Sequence, residues 1–356
     1  MNTVCRLCAT ALTLTLVGDG SAGPDAPSGA RVPLAVLGDS DSQSYQDTIT
    51  FAQGNEERGG KWRATSWQWA ELLARWRGAQ LDVGAWDAWG QSGWRHRALT
   101  WLGQNPRTPR KMDFQYNFAI SGQGCDHLLE QAAYLRDLIE THPARWENGL
   151  VVMRIGGIAL NNPLWLEAAA NNPRARAVED HISLCQSAHT RAVALLQRAQ
   201  PSLRLVLVGP LNDAHDPLNR TQWRTDSGIA HIEQALAPFD RHLKLLEAQD
   251  PTRRLYFDNR AWFARHWVGQ SDQGLPTYRT LQLGPLTLKP EIGDAPNHLL
   301  LGDRHFGTAA NALWAQALVQ ALQTRWPDLN LAPIGAAELD PLWASLSSAA
   351  SAPAAR

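Results

Sequence analysis

The sequence lacks an excess of either charge, a long apolar run and any dense set of cysteines. Its 33 basic side chains face 34 acidic ones, for a formal net charge of −1. Phosphate backbones are held by many Lys and Arg acting together, so this balance argues against a nucleic-acid binder. No stretch reaches the roughly 18 to 20 continuous apolar residues that a membrane helix needs, so no membrane span is expected. No Walker-type loop is present, and no cofactor is expected. The Gly-x-Ser-x-Gly elbow of ordinary lipases is also missing, because Gly90-Gln91-Ser92-Gly93 runs on into Trp94. Of the four cysteines, Cys5 and Cys8 lie near the start. Cys125 and Cys185 show no zinc-ligand spacing, and either a disulfide or two buried thiols fits them.

What is present begins with a lone Arg6 and an apolar stretch, ATALTLTLV, followed by small residues. Residues 1–23 read as a signal peptide and 24–32 as a linker, which places the protein outside the cytoplasm, secreted or periplasmic. Residues 33–330 form the expected catalytic domain, and the Ala/Ser/Pro-rich 331–356 reads as a loose tail.

Between these ends, apolar strands alternate with long amphipathic helices. Strands are expected at 33–37, 115–120, 149–155, 203–208 and 254–258. Helices are expected at 67–77, 126–140, 178–199, 229–248 and 308–325. This rhythm implies a parallel sheet covered on both faces, with ligands bound beyond the carboxyl ends of its strands. Those ends carry Gly38-Asp39-Ser40, Ser121-Gly122, Gly156-Gly157 with Asn161 and Asn162, and Gly209-Pro210 with Asn212-Asp213.

Acyl transfer requires a nucleophile, a base, a group that orients the base, and donors aimed at the developing oxyanion. Ser40, His305 and Asp303 supply the first three. The backbone N–H groups of Ser40 and Gly122 and the amide of Asn161 or Asn162 supply the donors. Asp39 reads as a loop-bonding residue rather than a proton carrier. Asp and His near Asp41, His215 and Asp303 also permit a two-metal phosphoesterase, but its ligands should cluster densely at consecutive strand ends, and no metal is expected.

The order Gly38-Asp39-Ser40, then Asn117-x-Ala119-x-Ser121-Gly122, then a Gly-to-Asn third block, then Asp303-Arg304-His305, resembles the SGNH hydrolases, the GDSL esterase/lipase family. The resemblance covers most of the chain after residue 32. It implies a flavodoxin-like three-layer α/β/α fold and an esterase mechanism with Ser40 as nucleophile, His305 as base and Asp303 as its orienting acid. It also implies an oxyanion hole from Ser40, Gly122 and a third-block asparagine. The chain departs from the family twice. Arg304 alone separates Asp303 from His305, where two residues are usual, and Asn161 stands further from Gly157 than in Gly-x-Asn-Asp. Some family members use a Ser-His pair alone, which would leave Asp303 a structural part.

Tryptophan is abundant, 16 in all, and eight fall between Trp62 and Trp101. A Trp-rich insertion over about 59–110 is expected to bring one or two of Trp86, Trp89 and Trp94 to the cleft wall, with Trp69 and Trp76 packing a helix and the rest filling a subsidiary core, and indole faces suit sugar rings. The expected substrate is a small-molecule or glycan ester with a short acyl group. A catalytically weak polysaccharide-binding domain is the competing expectation.

Overall fold

A computed structural model describes residues 31–52, 54–220, 227–272 and 274–351. The expected leader at 1–23 and most of the linker lie outside the described residues. Strand β1 (Val32–Gly38) lies second from one edge of a five-stranded sheet, with β2 (Leu81–Asp82) as the edge strand beside it. On the other side follow β5 (Leu150–Arg154), β6 (Arg204–Val208) and β7 (Arg254–Phe257), and every pairing is parallel. The order β2-β1-β5-β6-β7 is the doubly wound flavodoxin-like arrangement, whose topological switch lies between β1 and β5.

The two-residue period of a strand sorts the core into two layers. Leu34 and Val36 of β1, Leu150 and Val152 of β5, and Val206 and Val208 of β6 face one apolar cluster. That cluster includes buried residues of α1 (Trp69–Arg77), α8 (Asn259–Trp267) and α9 (Thr308–Arg325). Ala35, Leu37, Val151, Met153, Leu205 and Leu207 face the other. There they meet α3 (Leu128–Thr141), α5 (Pro163–Asn171), α6 (Arg176–Ala199) and α7 (Gly228–Gln249). Cys125, just ahead of α3, is disulfide-bonded to Cys185 on α6 and fastens this second layer.

Three expectations need correction. The C-terminal segment is not a loose tail: residues Ala336–Ser351 form helix α10. Its Leu339, Trp343 and Leu346 recur at helical spacing and are buried on the first cluster. Burying side chains of this size is worth about 1.5–3 kcal/mol each, enough to order a segment whose Ala and Ser content hides its stripe. Residues 115–120 form no strand but run beside β1 through a single bridge, Val36 to Asn117. Nor is 59–110 one insertion. It contains α1 and β2, which belong to the core, with Trp69 fully buried beside Trp314 at 4.8 Å between ring centroids. The part that leaves the sheet is β3 (Trp86–Trp89), α2 (Gly93–Trp101) and β4 (Lys111–Phe114), with β3 and β4 paired antiparallel. Five further strands lie outside the central sheet among the described residues: β8 (Val268–Gln270) pairs with β9 (Pro276–Tyr278), and β11 (Leu286–Ile292) lies between β10 (Leu281–Leu283) and β12 (His298–Leu300).

Candidate active site

Beyond Gly38 the chain turns sharply, and Gly38 has no room for a side chain: a Cβ would come within 2.6 Å of the Arg154 carbonyl. Buried Asp39 knits the turn. Its Oδ1 accepts the Asp41 N–H at 3.0 Å, and its Oδ2 accepts Gly156 N–H at 3.1 Å and Gly157 N–H at 2.9 Å. The ends of β1 and β5 are thereby clamped across the switch point. Burial, followed by the nearby Asp41 charge, pushes the Asp39 carboxyl up to about 6, and its full set of acceptor bonds fits a structural part.

The second block lies along the same strand end, with Phe118 N–H donating to Val36 O at 2.8 Å and Ile120 N–H to Gly38 O at 3.1 Å. Asn117 holds it there by donating to Ser42 O at 2.9 Å, and the wholly buried Lys111–Asp113 pair packs behind it at 2.6 Å. The chain then reaches Gly122 with φ +87° and open space where a side chain would stand. After β5, the short helix α4 (Gly157–Leu160) delivers Asn161, while Asn162 is spent capping α5 through Leu164 N–H at 2.9 Å. The structure thus separates the two asparagines.

Asp303 and His305 come from a tight turn after β12, closed by Leu301 N–H to His305 O at 2.7 Å. Arg304 takes a left-handed φ of +72°. With this single residue between them, Asp303 Oδ1 still lies 3.0 Å from His305 Nδ1.

These segments converge on one cavity of about 290 Å³. Ser40, Ser121, Gly122, Gly157, Asn161, Asp303 and His305 line it, along with Asp41, Leu211, Asn212, Asp213, Asp216, Phe263, Leu300, Arg304 and Phe306. Asn162, Trp86, Trp89 and Trp94 are not among the lining residues. Trp86 packs edge-on against Phe114, Trp89 donates to Ala85 O, and Trp94 is 68 % exposed. Neither the Ser40 N–H, the Gly122 N–H nor the Asn161 side-chain amide has a hydrogen-bond partner among the described residues. Three donors of different origin are therefore left for a ligand.

One residue of the site carries no motif. Arg58 is 1 % exposed, with φ +58° just ahead of Gly59 and Gly60. Its backbone N–H donates to Asp303 Oδ2 at 2.8 Å, and its guanidinium also pairs with that oxygen. The same Nη1 lies 2.8 Å from His305 Nδ1, and Nη2 reaches Ser121 Oγ at 3.2 Å. The guanidinium sits 4.3 Å from the centre of the Phe51 ring. Burial alone would raise the Asp303 carboxyl. The hydrogen bond and charge of His305, and then Arg58, outweigh it and hold the group well below the usual carboxylate range. Nδ1 cannot donate to Asp303 and accept from Arg58 at once. An ionised carboxylate is the stronger partner, so it keeps the proton on Nδ1 and leaves Nε2 free as a base.

Asp213, Asp216 and Arg304 line the same cavity, the last two paired at 2.9 Å. Withdrawal from water, then the charges of Asp216 and Asp41, push Asp213 up to about 8, so it is protonated at neutral pH and can donate. A folded-state pKa above the unfolded value of about 3.9 means that stability is lost as pH rises between the two. Asp213→Asn is therefore expected to match wild type near pH 4 and to grow progressively more stable than it up to about pH 8. Denaturant unfolding across that range measures the gap, and a gap that stays constant with pH would overturn the assignment.

Among the described residues no cluster of three or more His, Cys, Asp or Glu is arranged to hold a metal ion. No helix among them is long and apolar enough to cross a membrane.

Fold and site together define an α/β protein with a Ser, His and Asp constellation at the switch point of a doubly wound sheet. No family model matches the chain, and no curated protein matches it. Solved structures do. The lipase Lip_vut3 from a goat rumen metagenome is similar at 12 % identity and TM-score 0.43, over 82 % of this chain and 97 % of that one. Phospholipase A1 from Streptomyces albidoflavus NA297 is similar at 12 % identity and TM-score 0.42, over 82 % and 100 %. The salicylyl-acyltransferase SsfX3 of a tetracycline biosynthetic pathway is similar at 11 % identity and TM-score 0.36, over 83 % and 56 %.

Proposed function

We propose that the protein is a serine ester hydrolase or acyl transferase of the SGNH type. The observation that carries this reading is the convergence of Ser40, Gly122, Asn161, Asp303 and His305, drawn from four separate segments, on one cavity, with Asp303 3.0 Å from His305 Nδ1. In this reading Ser40 Oγ attacks the ester carbonyl while His305 Nε2 takes its proton. The oxyanion is held by the N–H groups of Ser40 and Gly122 and the Asn161 amide. Collapse expels the alcohol, which leaves with the proton from His305. Water or a second alcohol then attacks the acyl-enzyme, giving its proton to His305, and Ser40 is restored.

The cavity volume suits a short acyl group. Leu211, Phe263, Leu300 and Phe306 give that group an apolar wall. The polar wall of Asp41, Asn212 and protonated Asp213 matches a neutral, hydroxylated alcohol part, such as a sugar, better than an anionic one. Export through the N-terminal 23 residues belongs to the same proposal, and the Cys125–Cys185 disulfide fits an oxidising compartment.

Treatment with a fluorophosphonate followed by peptide mass mapping tests the reading. A covalent adduct on Ser40, absent from Ser40→Ala, is the expected result. Absence of the adduct, under conditions that label a known serine esterase fully, would favour the polysaccharide-binding domain.

A further inference from the structure

Helix α2 has nine residues and buries none of them. A helix this short has little stability of its own in water and is normally held by an apolar face packed on a core. Here the apolar residues point outward. Trp94 and Trp101, two turns apart, are 68 % and 86 % exposed, and Leu102 just beyond them is 64 % exposed. Trp86 on the adjoining strand β3 is 40 % exposed. Apolar side chains gathered in this way mark an interaction surface.

The charge of this arm leans to one side although that of the whole chain is balanced, its two acidic residues being Asp87 at its base and Asp113, buried against Lys111. From Trp89 to Met112 there is no Asp or Glu, while Arg95, Arg97 and Arg110 are exposed. None of the three arginines forms an ion pair among the described residues, and the Arg95 guanidinium lies 5.9 Å from the Trp94 ring centre. Indoles beside arginines, with leucine at the tip, suit the boundary between lipid head groups and acyl chains. A sugar face would use the indoles but leave Leu102 unmatched. The arm is rooted next to the cavity, since Arg107 donates to Gln115 O at 2.7 Å and to Asn117 O, five residues ahead of Gly122.

We infer that the arm 86–114 docks the protein on a lipid bilayer bearing anionic head groups. The inference does not depend on the esterase reading. Its test is co-sedimentation of the full chain with phosphatidylcholine vesicles, with and without phosphatidylglycerol. Expected is binding that requires the anionic lipid. Reversing Arg95 and Arg97 to Glu should weaken partitioning by at least about 25-fold, near fivefold per lost charge. Trp101→Ala with Leu102→Ala should weaken it by about tenfold or more through the apolar surface removed. Circular dichroism, and cleavage of a soluble short-chain ester if the wild type shows it, should be the same in all three proteins. Wild-type protein that stays in the supernatant, variants that pellet as wild type does, or retention on a soluble acidic polysaccharide without vesicle binding would each overturn the inference.

Discussion

Replacing His305 with alanine is expected to lower kcat for a short-chain ester by on the order of 10⁴- to 10⁶-fold. No other imidazole lines the cavity, and its remaining titratable groups are the carboxyls of Asp41, Asp213, Asp216 and Asp303 and the guanidinium of Arg304. Asp213 already holds a proton at neutral pH, and an ordinary carboxylate is too weak a base to take over the proton of Ser40. Asp303→Asn tests the tautomer argument separately. An amide can turn an N–H toward Nδ1, and Arg58 already presents one at 2.8 Å. With both neighbours donating, the imidazole proton moves to Nε2, where it blocks acceptance of the Ser40 proton. A loss of about 10⁴-fold in kcat is expected for this tautomer error. Steady-state kinetics on the two variants give the answer. A loss in Asp303→Asn smaller than tenfold would mean that the ring is oriented by another group and that Ser40 and His305 work as a pair.

The long, strongly patterned elements were legible in the sequence for a simple reason: their burial is periodic. The expected helix at 308–325 matches α9 residue for residue, and 178–199 matches α6 to within two residues. The buried strands at 33–37, 149–155 and 203–208 are legible by their mainly apolar runs, broken only by Gly149, Arg154 and Arg204, as expected of strands covered on both faces. What escaped was short or masked by composition. Strands β8, β9 and β10 have three residues each, too few to show a period. The stripe of α10 is diluted by Ala and Ser. Within the Trp-rich segment the helix expected at 67–77 is legible by its spacing and matches α1 to within two residues, whereas the two-residue β2 shows no period and the exposed arm after it is marked only by its tryptophan content.

The site divides along the same line. Ser40, Gly122, Asn161, Asp303 and His305 stand at strand ends or next to a short helix or turn, where a fold of this class gathers its ligands. Asn161 and Asn162 could not be told apart until the cap of α5 claimed one of them. Arg58 carried no signal at all, because its part depends on contacts with residues 63 to 247 positions away. The two glycines after it, Gly59 and Gly60, mark only that the backbone is left-handed there.

That unannounced arginine gives the largest expected effect on stability. Its side chain is 1 % exposed and that of Asp303 is 15 % exposed, so the pair is shielded from solvent. Removing one partner of such a pair leaves the other charge in a poor solvent, at a cost of about 3–5 kcal/mol. Arg58→Met fills much of the volume without the charge, and a loss of about 3 kcal/mol is expected because His305 and the Arg58 backbone N–H still serve the carboxylate. The sign of the pH dependence follows from Asp303. Its carboxyl is held below the ordinary value in the folded protein, so the stabilisation is complete above the unfolded pKa of about 3.9 and is lost as pH falls through the folded value. The gap between wild type and Arg58→Met should therefore be full at pH 7 and narrow below about pH 4, as Asp303 takes up its proton more readily in the variant. Denaturant unfolding of both proteins at pH 7 and pH 3 tests this. Arg58 does not line the cavity, so the variant should lose kcat, through a less firmly held Asp303, while KM changes little. An equal gap at both pH values would assign the stabilisation to the stacking of the Arg58 guanidinium on Phe51 rather than to its pairing with Asp303.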